Sequence, residues 1–372
     1  MKVERLVINR FKRFDKYEID FRDQTLGEIS NRYLILGDNG AGKTTILQAI
    51  ALPLALATRQ VYQVQDFDWI GFQSGRYARW GLPRIEVTIK FSAEEIETNR
   101  ELALRWRDTK PADFWLNRHF IPPGEKSRIT LVLDGFKLTN PVDELSQFWG
   151  RYYLLGLLRN NPAEKSKFSG VPRVFWFDQF RNLASPPSSP ETDKVDQENG
   201  QNNGHSGGGR LNYEAGVGQL REYLLGWDYR RRVLTSEQDY LQKLDQLYQR
   251  IFPSRTVLGG IEPMSDSPDS REYYFLIRDG DGRTYDIAEM SAGEQNVFPI
   301  LYEFVRQQIG YSVILIDEVD LNLHPPAAQA LAAQLPKIDP TSQFIMTTHS
   351  EAVSNVMREE VIHRLPGGAL CL

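Results

Sequence analysis

One cysteine, Cys371, stands in a chain of 372 residues. A single thiol excludes an intramolecular disulfide and any zinc site built on a cysteine pair. Long apolar runs are missing as well. The longest, Ile46 to Ala57, is too short to span a bilayer, and the N-terminus is charged from Lys2 onward with no signal core, so a cytoplasmic protein without a membrane partner is expected. Excess positive charge is also absent: the net charge is −5, which removes any general bias toward polyanions and leaves only local basic patches. No sustained heptads occur, so no long coiled-coil arm is expected. No Asn-Lys-x-Asp segment is present to read guanine. With 41% hydrophobic and 25% charged residues, the composition suits one large domain or two modest ones.

What is present begins at residues 37–44. Gly37-Asp38-Asn39-Gly40-Ala41-Gly42-Lys43-Thr44 follows the apolar run Tyr33-Leu34-Ile35-Leu36 and precedes a helix-forming stretch. Gly, four free positions, Gly, Lys, Thr is a phosphate cradle. Its glycines let backbone N–H groups converge on phosphate oxygens, and the helix N-terminus adds its positive dipole end. Lys43 reaches the outer phosphates, and Thr44 ligates magnesium. Four specified positions recur by chance in roughly one or two per cent of chains this long, before the strand-then-helix context is required. Pro53 predicts an end or a kink in the helix that follows the loop.

Three later segments narrow the chemistry. Ser312-Val313-Ile314-Leu315-Ile316-Asp317-Glu318 reads as a parallel strand buried on both faces that delivers two carboxylates at its end. Asp317 is the candidate magnesium holder, and Glu318 the candidate base for the attacking water. Gln343 to Ser350 has the same form, an apolar strand followed by Thr347, Thr348 and His349; His349 is placed for the γ-phosphate. Met290-Ser291-Ala292-Gly293-Glu294-Gln295 opens a further helix, with Val297, Ile300, Leu301 and Phe304 on one face. It reads either as a second anion site or as an ordinary N-cap, Ser291 with Glu294 forming a capping box.

In these segments the chain resembles the ABC-type ATPase heads of the SMC, RecF and OLD (overcoming lysogenization defect) proteins. Residues 37–44 match the Walker A loop, 290–295 the signature motif, 313–318 the Walker B strand, 319–325 the D-loop, and His349 the switch histidine. Val7 to Phe14 and Tyr17 to Phe21 look like the opening strands of such heads. The likeness covers roughly residues 1–91 and 270–365. It implies an α/β P-loop NTPase: an ABC-ATPase-like head with a mixed central sheet, an N-terminal antiparallel β subdomain and a compact helical lobe. It also implies ATP with Mg2+, bound by Asn39, Gly40, Ala41, Gly42, Lys43, Thr44 and Thr45. Ser291 and Gly293 would complete the site from the second copy of a homodimer, or of a higher oligomer, and Glu294 and Asp320 are further nucleotide-binding candidates. Lys43, Glu318 and His349 are then catalytic, and Thr44, Asp317 and a Q-loop glutamine hold the metal. Gln179 is the candidate glutamine, with Gln73 as rival. Ala292 departs from the glycine that transporters most often carry there. Few residues follow His349, so the nuclease domain of OLD proteins is not expected in this chain.

Between the two recognised ends, the pattern predicts a strand at Arg84–Phe91 closing a first lobe over 1–91 and an inserted helical and mixed lobe over 92–269. The C-terminal part of the ATPase lobe then covers 270–372. Within the insert, helices are expected at 93–107, at 142–158 with Leu145, Phe148, Tyr152 and Leu155 on one side, at 213–227 and at 236–252; strands at 128–133 and 172–178; and a disordered loop over about 184–210. Arg278 to Arg283 fails the calcium-loop spacing and reads as a hairpin turn. Basic clusters at Arg230-Arg231-Arg232 and at Arg76 and Arg79 around Tyr77 and Trp80 are candidate nucleic-acid contacts, though such clusters are more often solvated faces. Two functions follow: an ATP-gated machine acting on double-stranded DNA in repair or antiviral defence, with a separate nuclease or effector; or a regulatory ATPase holding a toxin or nuclease partner without touching DNA.

Overall fold

The computed structural model describes residues 1–115, 119–159, 167–179, 213–233, 239–267 and 272–366. The loop expected at 184–210, His205 and Cys371 lie outside these. The described chain forms two compact units, 1–179 with 307–372, and 180–306.

The first unit carries two sheets. In its antiparallel sheet, β1 (Lys2–Phe11) and β2 (Phe14–Asp20) form a hairpin, and β4 (Arg84–Lys90), β5 (Arg128–Asp134) and β6 (Lys137–Leu138) extend it in the order β2-β1-β4-β5-β6. Alternation in β4, with Ile85, Val87 and Ile89 buried between half-buried polar residues, is the mark of a strand covered on one face. The expected lobe boundary at residue 91 does not hold, because β5 pairs with β4 along its whole length.

The second sheet of this unit joins β3 (Arg32–Leu36), β7 (Val174–Phe177), β11 (Val313–Ile316), β12 (Gln343–Thr348) and β13 (Ile362–Arg364) in the order β13-β3-β12-β11-β7. Every pairing in it is parallel, and the antiparallel strands form a sheet of their own beside it, so the unit combines both kinds of sheet. Continuous apolar strands such as Val313–Ile316, all fully buried, suit a sheet covered on both faces. Helix α1 (Lys43–Ala57) follows β3 with Ile46, Leu47, Ile50 and Leu54 buried. Pro53 lies inside α1, which continues four residues further; the helix does not end there.

Helix α2 (Ala93–Asp108) begins with a capping box between Ser92 and Glu95. The single helix expected over 142–158 is two, α3 (Val142–Ser146) and α4 (Gly150–Leu158). Asn99 supplies the reason: its amide donates to the carbonyls of Ser146 and Gln147 at 3.2 and 3.0 Å, satisfying groups that a continuing helix would have bonded itself. The buried face of α4 is Tyr153, Leu154 and Leu157, which pack with Leu102, Ala103, Trp106 and Val171, while the expected Tyr152 packs half-buried against the same cluster. Helices α8 (Pro325–Ile338) and α9 (Glu351–Ser354) complete the unit.

The second unit contains α5 (Tyr213–Val233), α6 (Tyr240–Ile251), an antiparallel sheet of β8 (Thr256–Pro263), β9 (Tyr273–Arg278) and β10 (Thr284–Asp286), and α7, which runs Ala292–Gln307 and so reaches the unit boundary. Leu241, Leu244, Tyr248 and Ile251 give α6 one buried face. The β9–β10 hairpin confirms the turn read at 279–283.

Candidate functional site

Parallel pairing fixes where the motifs meet. The register places Leu36 beside Thr348 and Ile316 beside both Met346 and Phe177. The residues that follow β3, β11, β12 and β7 therefore leave one carboxyl edge together, the edge where open α/β sheets bind ligands. Gly37–Thr44, Asp317, Glu318, His349 and Gln179 all lie there.

Gly42 starts α1 in a left-handed conformation, φ 105°, with no side-chain cap. The first-turn N–H groups of α1 thus remain directed at the loop. A methyl group on Gly42 would sit 2.6 Å from the Phe14 ring and 2.7 Å from Arg13 Cδ, so glycine is required both by backbone angle and by space. Asn39 and Gly40 are exposed at the crest of the loop, Gly40 with φ 78°. Ala41 is buried, and Thr44 and Thr45 are half-buried.

Lys43 is 5% exposed. Its ammonium donates to the carbonyls of Gly37 at 2.9 Å and Asp38 at 3.2 Å and lies 3.2 Å from Glu318 Oε1. Thr44 Oγ1 donates to Asp317 Oδ2 at 2.7 Å. Asp317 is fully buried, and its other oxygen accepts from Thr347 Oγ1 at 2.6 Å. Glu318, at φ 48°, bends out of the strand path; its N–H donates to Thr347 Oγ1 at 2.8 Å, and its Oε2 lies 2.9 Å from His349 Nδ1. Asp320 accepts from Thr348 Oγ1 at 2.6 Å.

Sequence reasoning missed Thr347 and Thr348. Strand β12 lies between the loop strand β3 and the acid strand β11, and these two buried hydroxyls fix the acids on their neighbour. Consecutive threonines ending an otherwise apolar buried strand were the available signal, since buried hydroxyls need partners. Arg13 and Phe14, pressed against Gly42, were also missed; nothing local in sequence announces that contact.

The donor set suits magnesium. Thr44 and Asp317 offer one hydroxyl and one carboxylate within hydrogen-bond distance of each other. Among the described residues no group of three or more His, Cys, Asp or Glu can enclose a metal. Hard oxygen ligands few in number, leaving room for phosphates and water, are what Mg2+ takes. Gln179 is exposed, two residues past β7, on the strand whose Phe177 carbonyl accepts from Asp317 N–H at 2.8 Å. Gln73 lies in the loop before a short turn, its carbonyl accepting from Arg76 N–H at 3.0 Å.

In the second unit, Ser291 is exposed while Gly293 and Glu294 are buried. Glu294 closes the capping box: one of its oxygens accepts from Ser291 N–H at 2.9 Å and from Ser291 Oγ at 2.6 Å. Its other oxygen accepts from Tyr285 at 2.6 Å, from Tyr248, and from Arg255. Burial pushes this carboxyl up, but the donors Ser291, Tyr248, Tyr285 and Arg255 outweigh it and hold the pKa at about 2. Glu294 thus anchors Ser291 from below, its oxygens occupied within the unit.

The chain from 151 to 355, more than half of its length, matches the family described as AAA domain, putative AbiEii toxin, Type IV TA system. Residues 5–76 match a second AAA domain family. The protein belongs to the first of these AAA-domain families. Among curated proteins, this AAA-domain protein is similar to the Retron Vc95 probable ATPase of Vibrio cholerae serotype O1 biovar El Tor, 22% identical over 95% of this chain and 71% of that one. The Retron Ec83 probable ATPase of Escherichia coli is 30% identical over 25% of this chain and 19% of its own length. The Septu protein PtuA of Bacillus mycoides (strain KBAB4) is 22% identical over 94% of this chain but only 38% of its own. Among solved structures, the SMC head bound to the C-winged helix domain of ScpA has a TM-score of 0.45 at 14% identity, covering 97% of this chain and 95% of that one. The SMC head domain from Thermotoga maritima has 0.41 at 15%, covering 98% and 94%. Among the described residues, no helix of this AAA-domain protein is long and apolar enough to cross a membrane.

Proposed function

We propose that this protein hydrolyses ATP in a site completed by a second copy, and that closing and opening of the pair controls an effector partner. The observation that carries the reading is the convergence of Lys43, Thr44, Asp317, Glu318 and His349 on one sheet edge, linked by hydrogen bonds and one ion pair.

Thr44 and Asp317 would hold magnesium, which neutralises phosphate charge when bound with ATP. The N–H groups of residues 39–45 receive the phosphates, and Lys43 turns its ammonium to the outer ones. Glu318 orients the attacking water and takes its proton. His349, in contact with Glu318, holds that carboxylate in place and faces the terminal phosphate. Gln179 is the proposed further ligand. Exposed Ser291, braced by Glu294, supplies the partner's counter-charge together with Gly293; Asp320 takes the D-loop role across the pair. Charge supplied at a phosphoryl transition state lowers the barrier by several kcal/mol, about 3 to 4 for a single well-placed donor.

The retron and Septu relatives favour antiviral defence over DNA repair, and an effector such as a nuclease or toxin as the partner. In light scattering, Glu318→Gln with ATP and magnesium should show twice the mass that it shows without nucleotide. A single-chain mass under both conditions, with ATP bound, would contradict the two-copy site.

A further inference from the structure

One end of the antiparallel sheet gathers charge that the ATP site does not use. At this end Asn9 pairs with Arg84, Arg84 with Asp134, and Asp134 with Lys137. Residues Arg10, Arg76, Arg79 and Lys137 are exposed around it, and none has a carboxylate partner among the described residues. Glu86 and Asp134 share the single charge of Arg84, so the two acids leave one negative charge against these four cations.

Aromatic side chains stand among these cations. Trp80 is 65% exposed and Phe136 is 40% exposed. Both are presented by rigid supports. Gly81, φ 104°, lets the Arg10 side chain lie across it, 3.4 Å from where a Cβ would be. Gly135, φ 57°, accepts at its carbonyl from buried Tyr77 Oη at 2.8 Å, and the Tyr77 and Phe136 rings are 5.1 Å apart. The Arg79 guanidinium lies 5.5 Å from the Trp80 ring centre. Large aromatic faces in water are costly unless something covers them.

We infer that this end of the sheet binds a single-stranded nucleic acid, its phosphates on Arg10, Arg76, Arg79 and Lys137 and an unpaired base on Trp80. Unpaired guanidinium groups fit a phosphate backbone, while an exposed indole offers a stacking face that a duplex, with its bases already stacked, does not need. A protein partner would not call for this surplus of positive charge on a chain of net charge −5. The inference deepens the proposed function by naming a ligand, but the binding itself requires no ATP. Arg13 and Phe14, where β1 turns into β2 at this end of the sheet, pack against Gly42 of the phosphate loop.

The test is fluorescence anisotropy of a labelled thymidine 30-mer with the full chain, without nucleotide, across a salt series. Wild type should bind, with a log–log salt slope that falls by about 0.7 for each phosphate contact removed. Arg76→Glu/Arg79→Glu should abolish binding; Trp80→Ala should weaken it about tenfold, and Trp80→Phe should restore most of it. No binding at low salt overturns the inference. So does equal affinity for a duplex of the same length that is indifferent to Trp80→Ala, or a change of oligomeric mass in Trp80→Ala with strand affinity intact. ATP hydrolysis measured on the same variants separates this inference from the proposed function: strand binding without hydrolysis sinks the latter alone, and hydrolysis without strand binding sinks the former alone.

Discussion

Thr347 and Asp317 are joined by a 2.6 Å hydrogen bond between neighbouring parallel strands, and the same hydroxyl accepts from the N–H of Glu318 at 2.8 Å. One side chain on β12 thus sets both acids that follow β11. Thr347→Val keeps the volume but leaves a buried carboxylate oxygen and a buried N–H without their partner, a loss of about 1–3 kcal/mol in stability. Turnover should fall at least tenfold with ATP affinity nearly unchanged, measured by steady-state hydrolysis beside equilibrium binding. Unchanged kcat would show that Thr347 does not position the acids.

Glu318→Gln removes the proposed base and its charge beside Lys43 while keeping the shape of the side chain. General-base catalysis contributes about a hundredfold or more, so single-turnover hydrolysis should slow by that factor with ATP still retained. Hydrolysis at the wild-type rate would exclude Glu318 as the base.

Gly42→Ala meets three obstacles, a left-handed φ of 105°, the Phe14 ring at 2.6 Å and Arg13 Cδ at 2.7 Å. The backbone alone costs about 1–2 kcal/mol. Melting temperature should drop and ATP binding should weaken at least tenfold. Adding Phe14→Ala should recover part of the stability, because it removes the ring but leaves Arg13 and the backbone angle.

Glu294 ties the second unit to acid pH. Its pKa is held at about 2 in the fold, against about 4.3 for an ordinary glutamate in the unfolded chain. A depressed carboxylate stabilises the fold fully above the unfolded value, and that contribution is lost as pH falls from there toward 2. Unfolding followed by urea between pH 6 and pH 2.5 should show this decline in wild type and a flatter one in Glu294→Gln. Parallel curves would mean that the carboxylate is not held by its donors.

Four strands of the parallel sheet were legible in sequence because strands buried on both faces are written as continuous apolar runs, as in Val313–Ile316, and their polar ends marked the carboxyl edge; the short edge strand Ile362–Arg364, with only Ile362 buried, carries no such run. The hairpin at 279–283 was equally plain, since Asp-Gly-Asp-Gly admits little else. Hidden were features decided by distant partners. Asn99 breaks the helix at 147–149 through carbonyls some fifty residues away in sequence. Pairing of β5 with β4 moved the expected boundary at 91. Thr347 looked like a strand end until β12 was placed between β3 and β11, and the cap read at Glu294 proved to be one part of a buried cluster that also draws in Tyr248, Tyr285 and Arg255.

The two-copy site is tested most directly by mixing two inactive chains. Lys43→Ala lacks the phosphate-loop lysine, and Ser291→Arg blocks the segment offered to the partner; each alone should be without hydrolysis. If ATP lies between copies, a one-to-one mixture contains pairs in which the intact loop of one chain faces the intact Ser291 of the other, and hydrolysis should reappear. Full activity of Ser291→Arg by itself, or a mixture as inactive as its two components, would contradict the account.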